Sequence, residues 1–166
     1  MDMIIRSPDI FYWQNKTCQC ALGRGGIIST KTEGDGGTPV GRFPLRQVLF
    51  RPDRLTPPKT RLPIQALAHQ SGWCDDPNST AYNSLVKLPF SNRHEVLWRE
   101  DFIYDVIVVL GYNDNPVVPG KGSAIFLHVA KPGYSPTEGC VALSLEDLLY
   151  VLKSATPETQ LVVSPD

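Results

Sequence analysis

No stretch of this 166-residue chain approaches the ~18 apolar residues needed to span a bilayer. The longest apolar stretches, near Ile103–Leu110 and Ser123–Ala130, are strand-sized and interrupted by Asp105 and His128, so no membrane insertion is expected. The N-terminal segment has Asp2 where a secretory signal carries positive charge, and its apolar run is too short for a signal. A cytoplasmic location is therefore expected, or a periplasmic one if an upstream signal has been removed. An excess of one charge is missing too. Sixteen Lys plus Arg face seventeen Asp plus Glu, a formal net charge of −1, which leaves no basic field to hold nucleic acid. Metal-ligand spacing is absent, because Cys18-Gln19-Cys20 stands apart from the isolated Cys74 and Cys140. No metal is expected on this spacing, and the thiols read as reduced. Cys18 and Cys20 read as small buried groups on one face of a strand.

What is present describes one core. Apolar residues make up 42% and charged residues 20% of the chain, which excludes disorder, collagen and coiled coil. The length predicts a single domain over residues 1–166. Thirteen glycines and fifteen prolines favour turns between short strands over long helices, so the fold class is predicted as mainly β. Runs rich in β-branched or aromatic residues predict strands at Met3–Ser7, Gln19–Ile28, Arg42–Phe50, Leu62–Gln70, Phe102–Leu110, Ala124–Ala130 and Thr159–Ser164. One helix is well signalled. Ser144 stands as its cap, Leu145, Leu148, Leu149 and Leu152 form an apolar stripe, and Pro157 stops it.

The segment that can carry chemistry runs from His128 through a Gly- and Pro-rich loop to Gly139 and Cys140, just before that helix. A strand ending in His128 can bring the imidazole back to the thiol. A neutral imidazole takes the thiol proton, and the thiolate attacks an acyl carbon. Gly139 lets a substrate approach the backbone, and the N–H groups of Gly139 and Cys140 are candidate oxyanion donors. A thiol activated this way is expected to have a low pKa and to alkylate faster than buried thiols. On spacing alone, a plainer reading stands beside this one: Cys140 is a small buried residue and His128 a satisfied strand histidine.

Two motifs in order add a resemblance. Gly36-Gly37-Thr38-Pro39-Val40-Gly41-Arg42-Phe43 matches an early Gly-x-Thr-Pro-x-Gly-x-Phe hairpin, and Ile125–His128 with Thr137-Glu138-Gly139-Cys140-Val141 matches a late His, loop, Gly-Cys motif. Over most of its length the chain resembles the L,D-transpeptidase (YkuD-type) catalytic domain, in particular its branch of small stand-alone domains. The resemblance implies a β-sandwich or barrel-like domain with one C-terminal helix after the catalytic Cys. It also implies a peptidoglycan stem peptide as substrate and no metal or organic cofactor, with Cys140 as nucleophile, His128 as base and Gly139 beside them. The thiolate would attack the L-centre carbonyl of meso-diaminopimelate, release terminal D-alanine and leave a thioester. Water then gives L,D-carboxypeptidase activity on recycled tetrapeptides, the expected outcome. A second stem's amine would give a 3→3 cross-link, and a silent stem-peptide binding module is the remaining alternative. The chain departs from the family pattern in its short His-to-Cys loop, in Glu138 where a second His is usual, and in Ala142 where Asn or Arg is usual.

Supporting positions follow. Arg99 can pair with a substrate carboxylate or with Asp101 or Glu95. A backbone carbonyl, Asp105 or Tyr104 can orient His128. Arg99, Tyr104, Glu138 and Trp73 are assigned to substrate binding. Trp73 belongs to a cluster with Asp75, Asp76, Tyr82 and Asn83 that reads as cleft lining or as a plain turn. His69 and His94 are assigned structural roles.

Overall fold

The computed structural model describes residues 1–165. The strands in chain order are β1 (Met3–Arg6), β2 (Ile10–Trp13), β3 (Lys16–Gln19), β4 (Ile27–Ile28), β5 (Thr38–Pro39), β6 (Gly41–Phe50), β7 (Ile64–Ala66), β8 (Ser71–Cys74), β9 (Ser84–Lys87), β10 (His94–Val96), β11 (Val106–Leu110), β12 (Phe126–Val129), β13 (Val141–Leu143) and β14 (Gln160–Val163), with helix α1 (Leu145–Ser154) before β14. Nine strands form one sheet in the order β13-β12-β11-β6-β14-β1-β2-β3, with β7 added to β6. The ends of this sheet meet. Ala21, just past β3, exchanges backbone hydrogen bonds of 2.8 and 2.9 Å with Ala142 of β13, so the sheet curls into a nearly closed barrel.

Side-chain alternation divides the apolar residues between two cores. Val106, Val108 and Leu110 of β11, Leu127 and Val129 of β12, and Val141 and Leu143 of β13 face the barrel interior with Phe11, Phe43 and Leu161. Ile107, Val109 and Phe126 face outward into a second core with Trp73, Leu97 and Tyr104. A three-stranded sheet, β10-β8-β9, lies over that outer core. β11 reads as an unbroken apolar run because both of its faces are covered.

Helix α1 starts where its sequence predicts. Ser144 Oγ accepts from the Asp147 N–H at 3.1 Å, a cap that stabilises by about 1 kcal/mol. Leu148, Val151 and Leu152 bury the stripe in the inner core. No helix among the described residues is long and apolar enough to cross a membrane.

Several predicted strands are shorter or broken. Gln19–Ile28 splits into the end of β3, bridges at Ala21 and Gly23, and β4, because its glycines meet other backbone closely rather than running on as a ladder. Leu62–Gln70 yields only the exposed three-residue β7. Phe102–Leu110 pairs from Val106 onward, its first residues forming a turn.

Candidate active site

Alternation along β12 sends Phe126 and His128 outward and Leu127 and Val129 inward. β13 runs parallel to β12, with His128 opposite Ala142 and Leu127 opposite Val141. Cys140, one residue before β13, therefore falls opposite Phe126 on the outward face, and the Phe126 N–H donates to its Sγ at 3.3 Å. His128 is two residues farther along the adjacent strand on the same face. Both side chains line one cavity of about 490 Å³, a volume in the usual range for small-ligand sites.

Two neighbours fix the imidazole. Its Nδ1 lies 2.9 Å from the Val129 carbonyl. A carbonyl only accepts, so Nδ1 carries the proton and Nε2 keeps its lone pair. Tyr104 packs against the ring edge-on, with centroids 5.3 Å apart. The orienting group is thus a backbone carbonyl. Asp105 is engaged elsewhere, in an ion pair with Arg54 at 2.8 Å.

Backbone packing places the loop before Cys140. Thr38 Oγ1 accepts from the Gly23 N–H and donates to the Gly139 carbonyl, both at 2.9 Å. One hydroxyl of the Gly-x-Thr-Pro segment thereby ties the post-β3 strand to the residue before Cys140. The contact is close enough to exclude side chains. Gly139 has φ +135°, and a Cβ there would sit 2.8 Å from the Gly37 carbonyl oxygen. Gly139→Ala is accordingly expected to lower kcat by about tenfold or more and to lower Tm by about 4 °C or more. Thermal melts beside a turnover assay check this; a variant with the parent's melting and turnover would show that the close approach is unimportant. Thr137 closes the turn, its hydroxyl accepting from the Gly139 N–H at 3.1 Å and donating to the Cys140 carbonyl at 2.6 Å. Of the two candidate oxyanion donors, the Gly139 N–H is therefore occupied. The Cys140 N–H has no acceptor among the described residues.

Burial favours the neutral form of both candidate groups. Burial pushes the Cys140 thiol up to about 12, partly opposed by the Phe126 N–H, with Glu95 adding to the rise. Burial lowers the His128 imidazole to about 4. The low-pKa thiolate expected from the motif is thus corrected, because the thiol is enclosed and has no imidazolium beside it. A buried neutral thiol and a buried neutral imidazole can still transfer a proton in step with attack on an acyl carbon.

Arg99, Tyr104 and Glu138 line the cavity, and Trp73 does not. Arg99 is held by both carboxylate oxygens of Asp101, at 2.8 and 2.7 Å. Glu138 sits at the exposed rim, paired with Arg24 at 2.9 Å. Trp73 lies behind the site, edge-on to Phe126 at 5.0 Å, with its indole N–H donated to Asn83 at 3.0 Å. His69 stacks on Trp98, and His94 Nδ1 lies 2.8 Å from the Asn92 carbonyl.

Glu33, Glu95 and Lys131 also stand on the cavity wall, although no motif in the sequence places them there. Tyr104 donates to Glu95, while Tyr82 and Ser123 donate to Glu33 at 2.8 and 2.5 Å. Neither carboxylate has a cationic partner among the described residues, and Lys131 has no carboxylate partner there. No three His, Cys, Asp or Glu among the described residues converge as metal ligands.

Residues 6–163 match the family model of the L,D-transpeptidase catalytic domain (YkuD). No curated protein and no solved structure matches the chain.

Proposed function

The chain belongs to the L,D-transpeptidase catalytic-domain family, a family of cysteine-dependent enzymes acting on peptidoglycan peptides, and from that membership we propose that it is an L,D-carboxypeptidase working through Cys140 and His128. The observation that carries this reading is the shared cavity, in which His128 has its free Nε2 lone pair on the same face as the Cys140 thiol. A tetrapeptide ending in meso-diaminopimelate–D-alanine enters with its scissile carbonyl against Sγ. The thiol proton passes to Nε2 as sulfur bonds to carbon, and the oxyanion is met by the free Cys140 N–H. The imidazolium returns its proton to the departing amine of D-alanine, leaving a thioester. Water then attacks the thioester with His128 again as base, releasing a tripeptide and the free thiol.

Glu33, Glu95 and Lys131 suit this substrate, since the diaminopimelate side chain ends in an ammonium and a carboxylate. Hydrolysis is favoured over cross-linking by Glu138, which stands where relatives usually have a second His. It is turned to the rim and tied to Arg24, so it does not stand in for that His as a base for an acceptor amine. A second reading, 3→3 cross-linking, draws support from an open groove that shares Asp75, Glu95 and Arg99 with the cavity wall and could receive a second stem.

Incubation with free tetrapeptide is expected to yield D-alanine and tripeptide by mass spectrometry. Cross-linked dimers from disaccharide tetrapeptides without tripeptide would favour the second reading. Binding without any D-alanine release would overturn both.

A further inference from the structure

Ala124 has φ +54°, a left-handed conformation that non-glycine residues rarely take. The segment around it is held from several sides. Tyr82 Oη accepts from the Gly122 N–H at 3.0 Å, Asn113 Nδ2 donates to the Gly122 carbonyl at 2.9 Å, and Asn83 Oδ1 accepts from the Ala124 N–H at 3.0 Å. Asn83 is buried and fully engaged. Its Oδ1 also accepts from Trp73 Nε1 at 3.0 Å, and its Nδ2 donates to the Tyr112 and Asn113 carbonyls at 3.0 and 2.8 Å. The result of this bracing is seen at the nucleophile. The Ala124 carbonyl accepts the Cys140 S–H at 3.1 Å, so in the resting enzyme the thiol directs its hydrogen bond to a backbone carbonyl rather than to His128.

We propose that Asn83 is a positioning residue for Cys140: by pinning Ala124 in the left-handed conformation it aims the Ala124 carbonyl at Sγ, which holds the thiol in one orientation until the proton passes to His128. A carbonyl that accepts S–H favours the protonated thiol, so the same contact restrains the nucleophile when no substrate is present. The inference rests on the reading of Cys140 as nucleophile given above, and one of its readouts needs no substrate.

Asn83→Ala frees the Ala124 N–H and lets residue 124 relax to negative φ. The expected result is a fall in kcat for D-alanine release of about tenfold or more with KM within about twofold. Alkylation of Cys140 by iodoacetamide at pH 8, mapped by mass spectrometry, is expected to rise about fivefold, with Cys20 and Cys74 as protected as in the parent. Adding Ala124→Gly, which holds positive φ without strain, is expected to restore part of both. Parent-like kcat and alkylation in a folded Asn83→Ala protein would overturn the proposal, as would a double variant with no recovery. If Cys20 and Cys74 also become reactive, the variant has unfolded and Ala124→Val carries the test. That change leaves every Asn83 partner in place but disfavours positive φ; faster Cys140 alkylation supports the proposal and parent-like alkylation overturns it. Absence of tetrapeptide turnover in the parent, together with the expected alkylation pattern, would refute the substrate assignment and leave the positioning role standing.

Discussion

Under the proposed mechanism, replacing Cys140 with alanine is expected to reduce release of D-alanine by about 10⁴-fold or more, because the sulfur that would carry the acyl group is gone. The fold survives the change. Among the described residues the sulfur's only hydrogen-bond contacts are the Phe126 N–H and the Ala124 carbonyl, so the variant is expected to lose about 1–2 kcal/mol and to melt about 2–8 °C lower. Cys140→Ser keeps an acceptor and a donor in place and should melt closer to the parent while remaining inactive, since a neutral imidazole does not readily deprotonate an alcohol here. Alanine at Cys18, Cys20 or Cys74 is expected to leave turnover within about threefold, all three lying away from the cavity wall. Turnover and melting curves on the same preparations separate the two effects. Substantial activity in Cys140→Ala would remove the nucleophile assignment.

The second large effect is at His128, where His128→Gln is expected to lower kcat by about 10³-fold through loss of the base. The parent's pH profile carries independent information. Because burial holds the imidazole near 4 instead of its ordinary 6.5, kcat/KM should stay level from about pH 5.5 upward through neutrality and fall only as pH approaches 4. An acid limb centred near 6.5 would mean that His128 is hydrated in the working enzyme. The same depressed value acts on stability. The unfolded chain takes up this proton first as pH falls, so the native state loses about 3 kcal/mol between pH 6.5 and 4, and nothing further from this group below 4. His128→Gln removes that part of the acid sensitivity, which pH-dependent denaturant melts can measure.

The sequence carried the elements whose signal is local. α1 is announced by Ser144 and its leucines, and β6 and β12 by apolar runs. The Gly-Thr-Pro and Gly-Cys segments were visible as separate motifs. Their relation was not, because it depends on Thr38 bridging Gly23 to Gly139 across a fold that no spacing reveals. The thiol's high pKa was hidden for the same reason: a motif gives residue types, whereas the shift comes from enclosure by the outer core and from Glu95, which β10 contributes. Trp73 and Asn83 read as cleft or turn because Asp-Asp-Pro-Asn dominates that stretch, yet the strand β8 carries Trp73 inward and Asn83, at φ +58°, turns back to brace Ala124. Asn tolerates that conformation better than most residues, a clue present in the letters but shared by any turn.

Cys140 as the acyl carrier is tested most directly by rapid quenching of the enzyme with tetrapeptide in acid, followed by peptide mapping by mass spectrometry. The expected result is a thioester adduct on the peptide containing Cys140, its added mass that of the tetrapeptide less D-alanine, which is the tripeptide less water. Steady D-alanine release with Cys140 unmodified, or with the adduct on Cys18, Cys20 or Cys74, would contradict the account.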